Sequence, residues 1–474
     1  MIRQLCAGGW MLLMISGCTA LTPESAPSLP VVVPESYANQ PFNDLGAAMA
    51  TPITHWWTVL GSRELNAMVQ KGLANNYDLK IRRARIAQSA AVLKKVTAAR
   101  LPGLAFSIGG TRTHTRSDMK GSSPSDNSSH SWNGNLSASY TPDIWGNTAA
   151  SVRAADMALD AARQDYNETA LALTTDIAER WVNLISVRER LKLLHSQIRV
   201  DTAELALQNL RFLNGKASAL DVSQQRESLA KSLSGVPLLE KEEKQEMNAL
   251  ALLMGGTPGQ PIALDTTTFP NMTHTTSPGI PAALLAHRPD IRAARLRLMA
   301  AREDVAAAKA DLLPAFTLTA SALFSSGSLD LLFQNWVSTL AGSFAGPILD
   351  GGRRRAEVER TRAVVQERLN TYAKTVATAI GEVEDSLVGI DRQAEYIQRL
   401  EEELAAAGIS LKNSRVQYLN GQGSYLNYLT AWSAIKRLER QLVNERANLI
   451  KKRIALHNAM GWQAAEAIGV DDNV

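Results

Sequence analysis

The residues best suited to acid–base, nucleophilic or metal chemistry are few in this chain and are not grouped. Its seven histidines lie at positions 55, 114, 130, 195, 274, 287 and 457. None occurs in HExxH or another metal-binding spacing, and no GxSxG, P-loop or dinucleotide motif is present. The carboxylates alternate with lysines and arginines, which is typical of a solvated helix face. We therefore expect no catalytic residues, no metal site and no cofactor.

One side chain does indicate chemistry, the thiol of Cys18. Arg3 precedes an apolar stretch, Leu5–Ile15, that is too short to span a bilayer. The residues Ser16-Gly17-Cys18 that follow resemble the end of a bacterial lipobox. The resemblance implies that residues 1–17 are a signal peptide and that Cys18 carries a covalent diacylglyceryl lipid and an acylated amine. Thr19 follows the cysteine, and the resemblance to lipoproteins that have no aspartate at this position favours sorting to the outer membrane. The alternative is an ordinary signal peptide with an incidental cysteine.

The elements that follow are arranged as a duplication. Asn76–Leu79 matches Arg288–Ile291 at an offset of 212 residues, since 290 − 78 = 212. Leu213-Asn214-Gly215 matches Leu419-Asn420-Gly421 at an offset of 206, since 420 − 214 = 206. This constancy indicates two tandem repeats, each with the order helix, strand, strand, long helix, helix.

The predicted domain boundaries follow from this duplication. A lipidated N-terminal segment at 18–62 precedes repeat 1 at 63–256. A Pro-, Thr- and Gly-rich linker at 257–281 leads to repeat 2 at 282–462, and 463–474 is a C-terminal tail.

Apolar residues recur every seven positions through the long segment of each repeat. The series in repeat 1 is Ile177, Leu184, Leu191, Ile198, Leu205 and Phe212. The series in repeat 2 is Val383, Ile390, Ile397, Leu404, Leu411 and Tyr418. A sustained seven-residue period predicts a left-handed coiled coil. Residues 148–214 contain no glycine or proline, and these 67 residues would form a helix of roughly 100 Å.

Four segments alternate between apolar and small polar residues and are predicted to be strands, at about 102–115, 131–141, 314–326 and 335–345. This alternation is typical of a transmembrane β-barrel. Four strands cannot close a barrel, because such barrels need about eight and an open edge cannot lie in lipid. The sequence therefore predicts a mainly α protein with a membrane β-barrel whose strands are pooled between chains.

Several segments resemble the TolC-like outer-membrane factor family, and its lipoprotein branch in particular. The clearest is Pro281–Arg292, and the others are Trp56-Trp57, Pro347–Arg353 and Glu382–Leu387. The resemblance implies a homotrimer that shares a 12-stranded barrel and a long periplasmic α-helical coiled-coil barrel. It also implies an exit duct that passes small molecules such as drugs. The partners would be a periplasmic adaptor (membrane fusion) protein and a proton-driven inner-membrane pump.

The resemblance further indicates where the duct is gated. The tip turns contain Asn214, Gly215, Asn420, Gly421 and Gly423, and in the family they form the periplasmic end where the adaptor docks. The polar residues that we expect to face the pore nearby are Asp221, Arg415, Tyr425, Asn427 and Tyr428. The alternative is that these side chains are solvated or pack within one subunit. Many members carry an acidic residue about where Gly423 stands, so a negative ring is not expected here.

Other functions stay open on the sequence alone. The channel could serve protein secretion or metal efflux, or the chain could be a non-conducting structural lipoprotein. A net charge of +4 without a basic tail argues against nucleic-acid binding. The polar segments Ser117–His130 and Ser325–Asp330 are expected to be extracellular loops.

Overall fold

The computed structural model describes residues 30–39, 55–118, 120, 123, 125–259, 266, 268–270 and 281–461. Cys18, the predicted signal peptide, most of the predicted linker and the predicted tail lie outside these residues. The chain divides into two compact units. The first contains Ile86–Ala161 and Ala294–Tyr372, and the second contains Pro30–Arg85, Ala162–Ala293 and the chain from Ala373 onward.

The described elements follow the predicted order twice. The first series is α1 (Arg63–Asn75), α2 (Tyr77–Thr97), β1 (Gly103–Ser117), β2 (Ser125–Tyr140), α3 (Asn147–Leu213) and α4 (Ala219–Leu253). The second series is α5 (Pro281–His287), α6 (Pro289–Ala310), β3 (Ala315–Ser326), β4 (Trp336–Ala345), α7 (Arg353–Leu419) and α8 (Tyr425–Ala459). The predicted fold of two helix–strand–strand–long helix–helix repeats is confirmed.

The long helices are copies of each other in length. Both α3 and α7 contain 67 residues, and both returning helices, α4 and α8, contain 35. Within the parts of the chain that the structure describes, no helix is both long and apolar enough to cross a membrane.

Burial follows the heptads along the seam between α7 and α8. Ile397 and Leu400 of α7 form one apolar cluster with Leu438 and Leu442 of α8. Closer to the turn, three tyrosines continue the same seam. Burying each large apolar side chain contributes about 1.5–3 kcal/mol, so the seam holds α7 to its returning partner α8.

The four strands form one antiparallel sheet in the order β1-β2-β3-β4. The registers place Phe106 opposite Leu136 and Leu136 opposite Ala322, while Ser137 lies opposite Ser321. Directly opposed residues point to the same face of a sheet. One face is therefore mostly apolar and the other mostly small and polar, as the alternation predicts. Strands β1 and β4 are the two edges.

Strand β2 begins earlier than the sequence predicts. It starts at Ser125 instead of at about 131, and its first residues pair with the end of β1 as far as Ser117. The interpretation of Ser117–His130 as a loop is therefore wrong over 125–130. These residues are Ser, Asp, Asn and His without apolar alternation, so only the pairing with β1 makes them a strand.

The core of the second unit contains a buried histidine. The imidazole of His457 stacks on the indole of Trp56 with ring centroids 5.5 Å apart, and Trp56 Nε1 donates to Thr174 Oγ1 at 3.1 Å. His457 is 3% exposed. Burial lowers the pKa of His457 from 6.5 to about 4, because the charged imidazolium is disfavoured away from water.

This low pKa predicts a loss of stability in mild acid. Between pH 6.5 and about 4 the unfolded chain binds a proton at His457 that the folded chain does not, so stability falls as the pH falls. The contribution is about 3 kcal/mol across that range. We expect His457→Phe to flatten the acid side of a thermal-stability profile, whereas His195→Gln, at an exposed histidine of α3, leaves it unchanged. Identical profiles for His457→Phe and the wild type would contradict this assignment.

Candidate gating site between the long helices

Both tip turns reverse the chain through a glycine with a left-handed backbone. Gly215 has φ +67° and Gly421 has φ +74°, a conformation that a side chain strains. In the first turn Lys216 N donates to the carbonyl oxygen of Arg211 at 2.7 Å, which is the six-to-one bond of a Schellman helix end. The equivalent bond closes the second turn at 2.8 Å, so the two turns share one backbone structure.

The other turn residues differ in their surroundings. Asn214 Nδ2 donates to the carbonyl oxygen of Leu210 at 2.7 Å, and Asn420 holds the equivalent position of the second turn. Gly423 lies close to the helix before it, since an added Cβ would be 3.2 Å from Gln417 Cβ. An acidic side chain at 423 would therefore require Gln417 to move.

Two predicted gate residues, Asp221 and Asn427, occupy equivalent positions in helix caps. Asp221 N donates to Ser218 Oγ at 3.1 Å, and Ser218 N donates to Asp221 Oδ2 at 3.0 Å. This reciprocal pair is a capping box at the start of α4. At the start of α8, Asn427 N donates to Ser424 Oγ at 3.4 Å, and among the described hydrogen bonds Ser424 N donates none back to the Asn427 side chain. The carboxylate of Asp221 therefore serves its own helix within the single chain.

Tyr418, Tyr425 and Tyr428 form a buried aromatic cluster behind the second turn. Their ring centroids lie 5.1 and 5.7 Å apart in sequence order. The hydroxyl of Tyr425 donates to Gln225 Oε1 at 2.7 Å, and that of Tyr418 donates to Gln208 Oε1 at 2.6 Å. Burial, followed by the charge of Glu204, raises the pKa of Tyr425 and Tyr428. Tyr418 of α7 thus hydrogen-bonds α3, and the predicted gate residue Tyr425 of α8 hydrogen-bonds α4, within one chain.

Arg415 crosses from α7 to α3. Its guanidinium lies 3.5 Å from Glu204 Oε1, and the Arg415 side chain is 56% exposed while that of Glu204 is 10% exposed. An ion pair with one exposed partner contributes about 0–1 kcal/mol. Arg415 is therefore accessible for contacts beyond its own chain, and Glu204 is not.

The central group of the site is a buried carboxylate that the sequence analysis missed. Asp201 of α3 is 0% exposed. Its Oδ2 accepts from Lys436 Nζ at 2.8 Å and from Ser232 Oγ at 2.7 Å. Its Oδ1 accepts from Trp432 Nε1 at 2.7 Å. Lys436 Nζ also lies 3.1 Å from Ser228 Oγ, so both charges are paired and hydrogen-bonded.

This ion pair joins the two repeats and has no symmetric copy. Asp201 lies in repeat 1 and Lys436 in repeat 2. Adding 206 to 201 gives Ala407, and subtracting 206 from 436 gives Ala230. A signal was available in the sequence, because Asp201 stands three residues after Ile198 and so occupies a core position of the heptad. A buried polar group at such a position specifies which helices pair and in which register.

The arrangement holds helices together through an ion pair and hydrogen bonds. Among the described residues no group of three or more His, Cys, Asp or Glu could hold a metal ion. What the site provides is a hydrogen-bonded contact between α8 and the pair α3–α4. Moving α8 away from Asp201 would leave a buried charge without its partner, which is strongly unfavourable.

We expect the Asp201–Lys436 pair to show strong energetic coupling. Asp201→Ala and Lys436→Ala should each destabilise the folded chain by about 3–5 kcal/mol, because each leaves one buried charge without its partner. The double variant has alanine at both positions, as the other repeat does. It should lose less stability than the sum of the losses of the two single variants. A double-mutant cycle of thermal denaturation in detergent measures this.

The exposed pair Arg446–Glu401, at 2.8 Å with side chains 52% and 48% exposed, is the matched control. Its cycle should give about 0–1 kcal/mol. Equal coupling energies for the two pairs would rule out a special role for Asp201.

Comparison with known proteins identifies the family of this chain. Residues 68–256 and 280–462 match the family described as outer membrane efflux protein. The pyoverdine export outer membrane protein OpmQ of Pseudomonas aeruginosa is 32% identical over 88% of this chain and 90% of its own. The toluene efflux pump outer membrane protein TtgF of Pseudomonas putida is 28% identical over 94% of both chains.

Solved structures share the fold. The outer-membrane channel OprN matches with a TM-score of 0.84 at 21% identity, covering 94% of this chain and 99% of that chain. The outer membrane protein VceC of Vibrio cholerae matches with a TM-score of 0.79 at 26% identity, covering 88% and 100%. The predicted family and the outer-membrane location are confirmed. Two repeats, a shared sheet and a matched family model over most of its length therefore assign this chain to the outer membrane efflux protein family.

Proposed function

We propose that three copies of this chain form the exit duct of a tripartite efflux system for small molecules. The observation that carries the proposal is the four-stranded sheet, which has one apolar face and two unpaired edges, β1 and β4. Large apolar side chains on its edge strands are openly exposed in the single chain, for example Phe106 at 71% and Leu340 at 82%.

The two edges favour a shared barrel over a monomer. In lipid every backbone N–H and C=O needs a partner, and an exposed apolar edge invites pairing with another chain. If β1 of one copy pairs with β4 of the next, three copies give a closed barrel of about 12 strands. The apolar face then contacts lipid, and the serine, threonine and asparagine face lines a water-filled duct.

The cargo class follows from the relatives and from the duct lining. Relatives are named for pyoverdine export and for toluene efflux, which are small molecules and not proteins. A lining of small neutral polar side chains does not select strongly by charge. We therefore propose passage of small molecules chosen upstream, by a proton-driven inner-membrane pump that also supplies the energy.

The tip turns present a surface suited to a periplasmic adaptor. Leu213 and Leu220 are 81% and 64% exposed, and their equivalents at offset 206, Leu419 and Leu426, are 46% and 53% exposed. Exposed leucines at the end of a coiled coil are unusual on a free surface. We propose that the adaptor covers them and that its binding separates α8 from Asp201, which converts a closed packing into an open one. Arg415 and Asn427 remain our candidates for pore contact.

We propose that Cys18 carries the lipid anchor. The supporting feature is the lipobox-like Ser16-Gly17-Cys18 after a short apolar stretch. Mass spectrometry of the purified protein should find an acylated N-terminal peptide beginning at Cys18, and Cys18→Ala should lack it. Cys18→Ala behind an ordinary signal peptide should still form channels, because the barrel also holds the protein in the membrane. An unmodified thiol at Cys18 in the wild type would refute the anchor.

Oxidative cross-linking tests the trimer. Cysteines replacing Ser107 on β1 and, in separate variants, Thr339 or Ser343 on β4 should form covalent dimers and trimers. The matched control replaces Ser137 and Ser321, which are opposed within one chain, and should cross-link only internally.

Channel function is tested by conductance of the purified wild type in planar bilayers, at rest and with Asp201→Ala, which should increase opening. If the edge cysteines never join chains, or if neither the wild type nor Asp201→Ala conducts, the exit-duct proposal fails.

A further inference from the structure

The apolar face of the sheet is bounded by two rows of aromatic side chains. One row contains Trp132, Phe324 and Trp336, and the other contains Tyr140, Phe316 and Phe344; the registers place all six on this face. Eight residues separate Phe316 from Phe324, about 27 Å along the strand, or about 20 Å along the axis of a barrel with strands tilted by about 40°. Aromatic rows at this spacing are typical of the two interfaces of a membrane.

The row with Trp132 is the one nearer the cell exterior. The opposite ends of β1 and β2 connect to α2 and α3, and the helices of the family are periplasmic. The indole of Trp132 covers Gly110, where an added Cβ would be 2.6 Å from the ring. Beyond this row only β1 and β2 continue, as a hairpin that extends past the end of β3 at Ser326.

The charged and titratable residues of this hairpin extension all lie on one face. Arg112, His114, Arg116, Asp126 and His130 share the face that is continuous with the apolar band. The opposite face over the same stretch contains only serine, threonine and asparagine. If these charges served solubility alone, the water-facing side of the duct would be the favoured place for them. Instead they are on the side that faces the membrane.

Their heights match the position of lipid headgroups. Arg112 and His130 are directly opposed, and His130 lies two residues beyond Trp132, about 7 Å along the strand. Arg116 lies four residues farther out. His114 Nε2 lies 2.9 Å from Asp126 Oδ1, with both side chains about 60% exposed. Among the described residues neither arginine has a carboxylate partner in an ion pair.

We propose that Arg112 and His130, with Arg116 above them, bind the phosphate groups of phosphorylated lipids in the outer leaflet. A guanidinium matches phosphate through paired N–H donors, and basic residues just outside an apolar band bind anionic headgroups. Asp126 lies beside His114 and directly opposite Arg116, so on this face of the paired strands two arginines stand against one carboxylate, and the charge difference is 2 − 1 = +1. This inference rests on the proposed barrel, because that barrel turns the apolar face to lipid.

The test measures binding of fluorescent lipid A, a bisphosphorylated glycolipid, to the purified full chain in neutral detergent. Arg112→Gln/Arg116→Gln should weaken binding about tenfold, and Arg112→Lys/Arg116→Lys should weaken it less, because lysine keeps the charge. The matched control Lys95→Gln/Arg100→Gln removes two exposed cations at the other end of β1 and should bind like the wild type. Dephosphorylated lipid should bind weakly to every variant.

Three results would overturn the proposal: equal binding by Arg112→Gln/Arg116→Gln and the wild type, equal binding of the dephosphorylated lipid, or full displacement by millimolar inorganic phosphate, which would indicate a site for free anions. If the double variant forms no trimer, lipid A binding by Arg112→Gln alone is compared with that of the wild type under the same criteria. Conductance of the wild type separates this inference from the exit-duct proposal. A conducting channel without lipid A binding refutes the lipid site only.

Discussion

Backbone hydrogen bonding at the edges of the sheet is the constraint on which the rest of the architecture depends. A polypeptide in hydrocarbon has no water to satisfy its N–H and C=O groups, so a sheet there must close on itself. This chain provides four strands and leaves β1 and β4 without partners. In the barrel proposed above, other copies of the chain complete the closure. In the proposed trimer each copy also contributes two pairs of long helices, so a helical wall built from them has the same subunit number as the barrel.

The duplication makes such a wall regular, but regularity alone would allow the repeats to exchange places. The helices α3 and α7 have the same length and similar heptads, so apolar packing by itself distinguishes them weakly. Asp201 and Lys436 remove this ambiguity. If the repeats exchanged places, Ala407 would lie opposite Ala230, and both buried charges would lose their partners. A buried polar contact in an otherwise apolar seam thus contributes to specificity as well as to stability.

Much of this could be predicted from the sequence because it rests on periodicity. The 67-residue helices follow from an unbroken heptad, and the two faces of the sheet follow from strict alternation. The start of β2 could not be predicted, because Ser125–His130 has no apolar pattern and is ordered by its partner strand. The surroundings of the predicted gate residues were only partly predictable. Ser218 followed three residues later by Asp221 is a capping signature, and the packing that buries Tyr425 and Tyr428 depends on which helices lie beside them.

The two tip turns share a backbone but not a cap. The first begins its returning helix with the closed Ser218–Asp221 box, whereas the second relies on Ser424 alone, through a bond of 3.4 Å to Asn427. A missing cap contact makes the first turn of a helix about 1 kcal/mol easier to unwind. In the proposed trimer the tip turns would therefore alternate between three with the closed cap and three without it. Opening of such a ring would move every second tip turn, while the turns with the closed cap keep their shape.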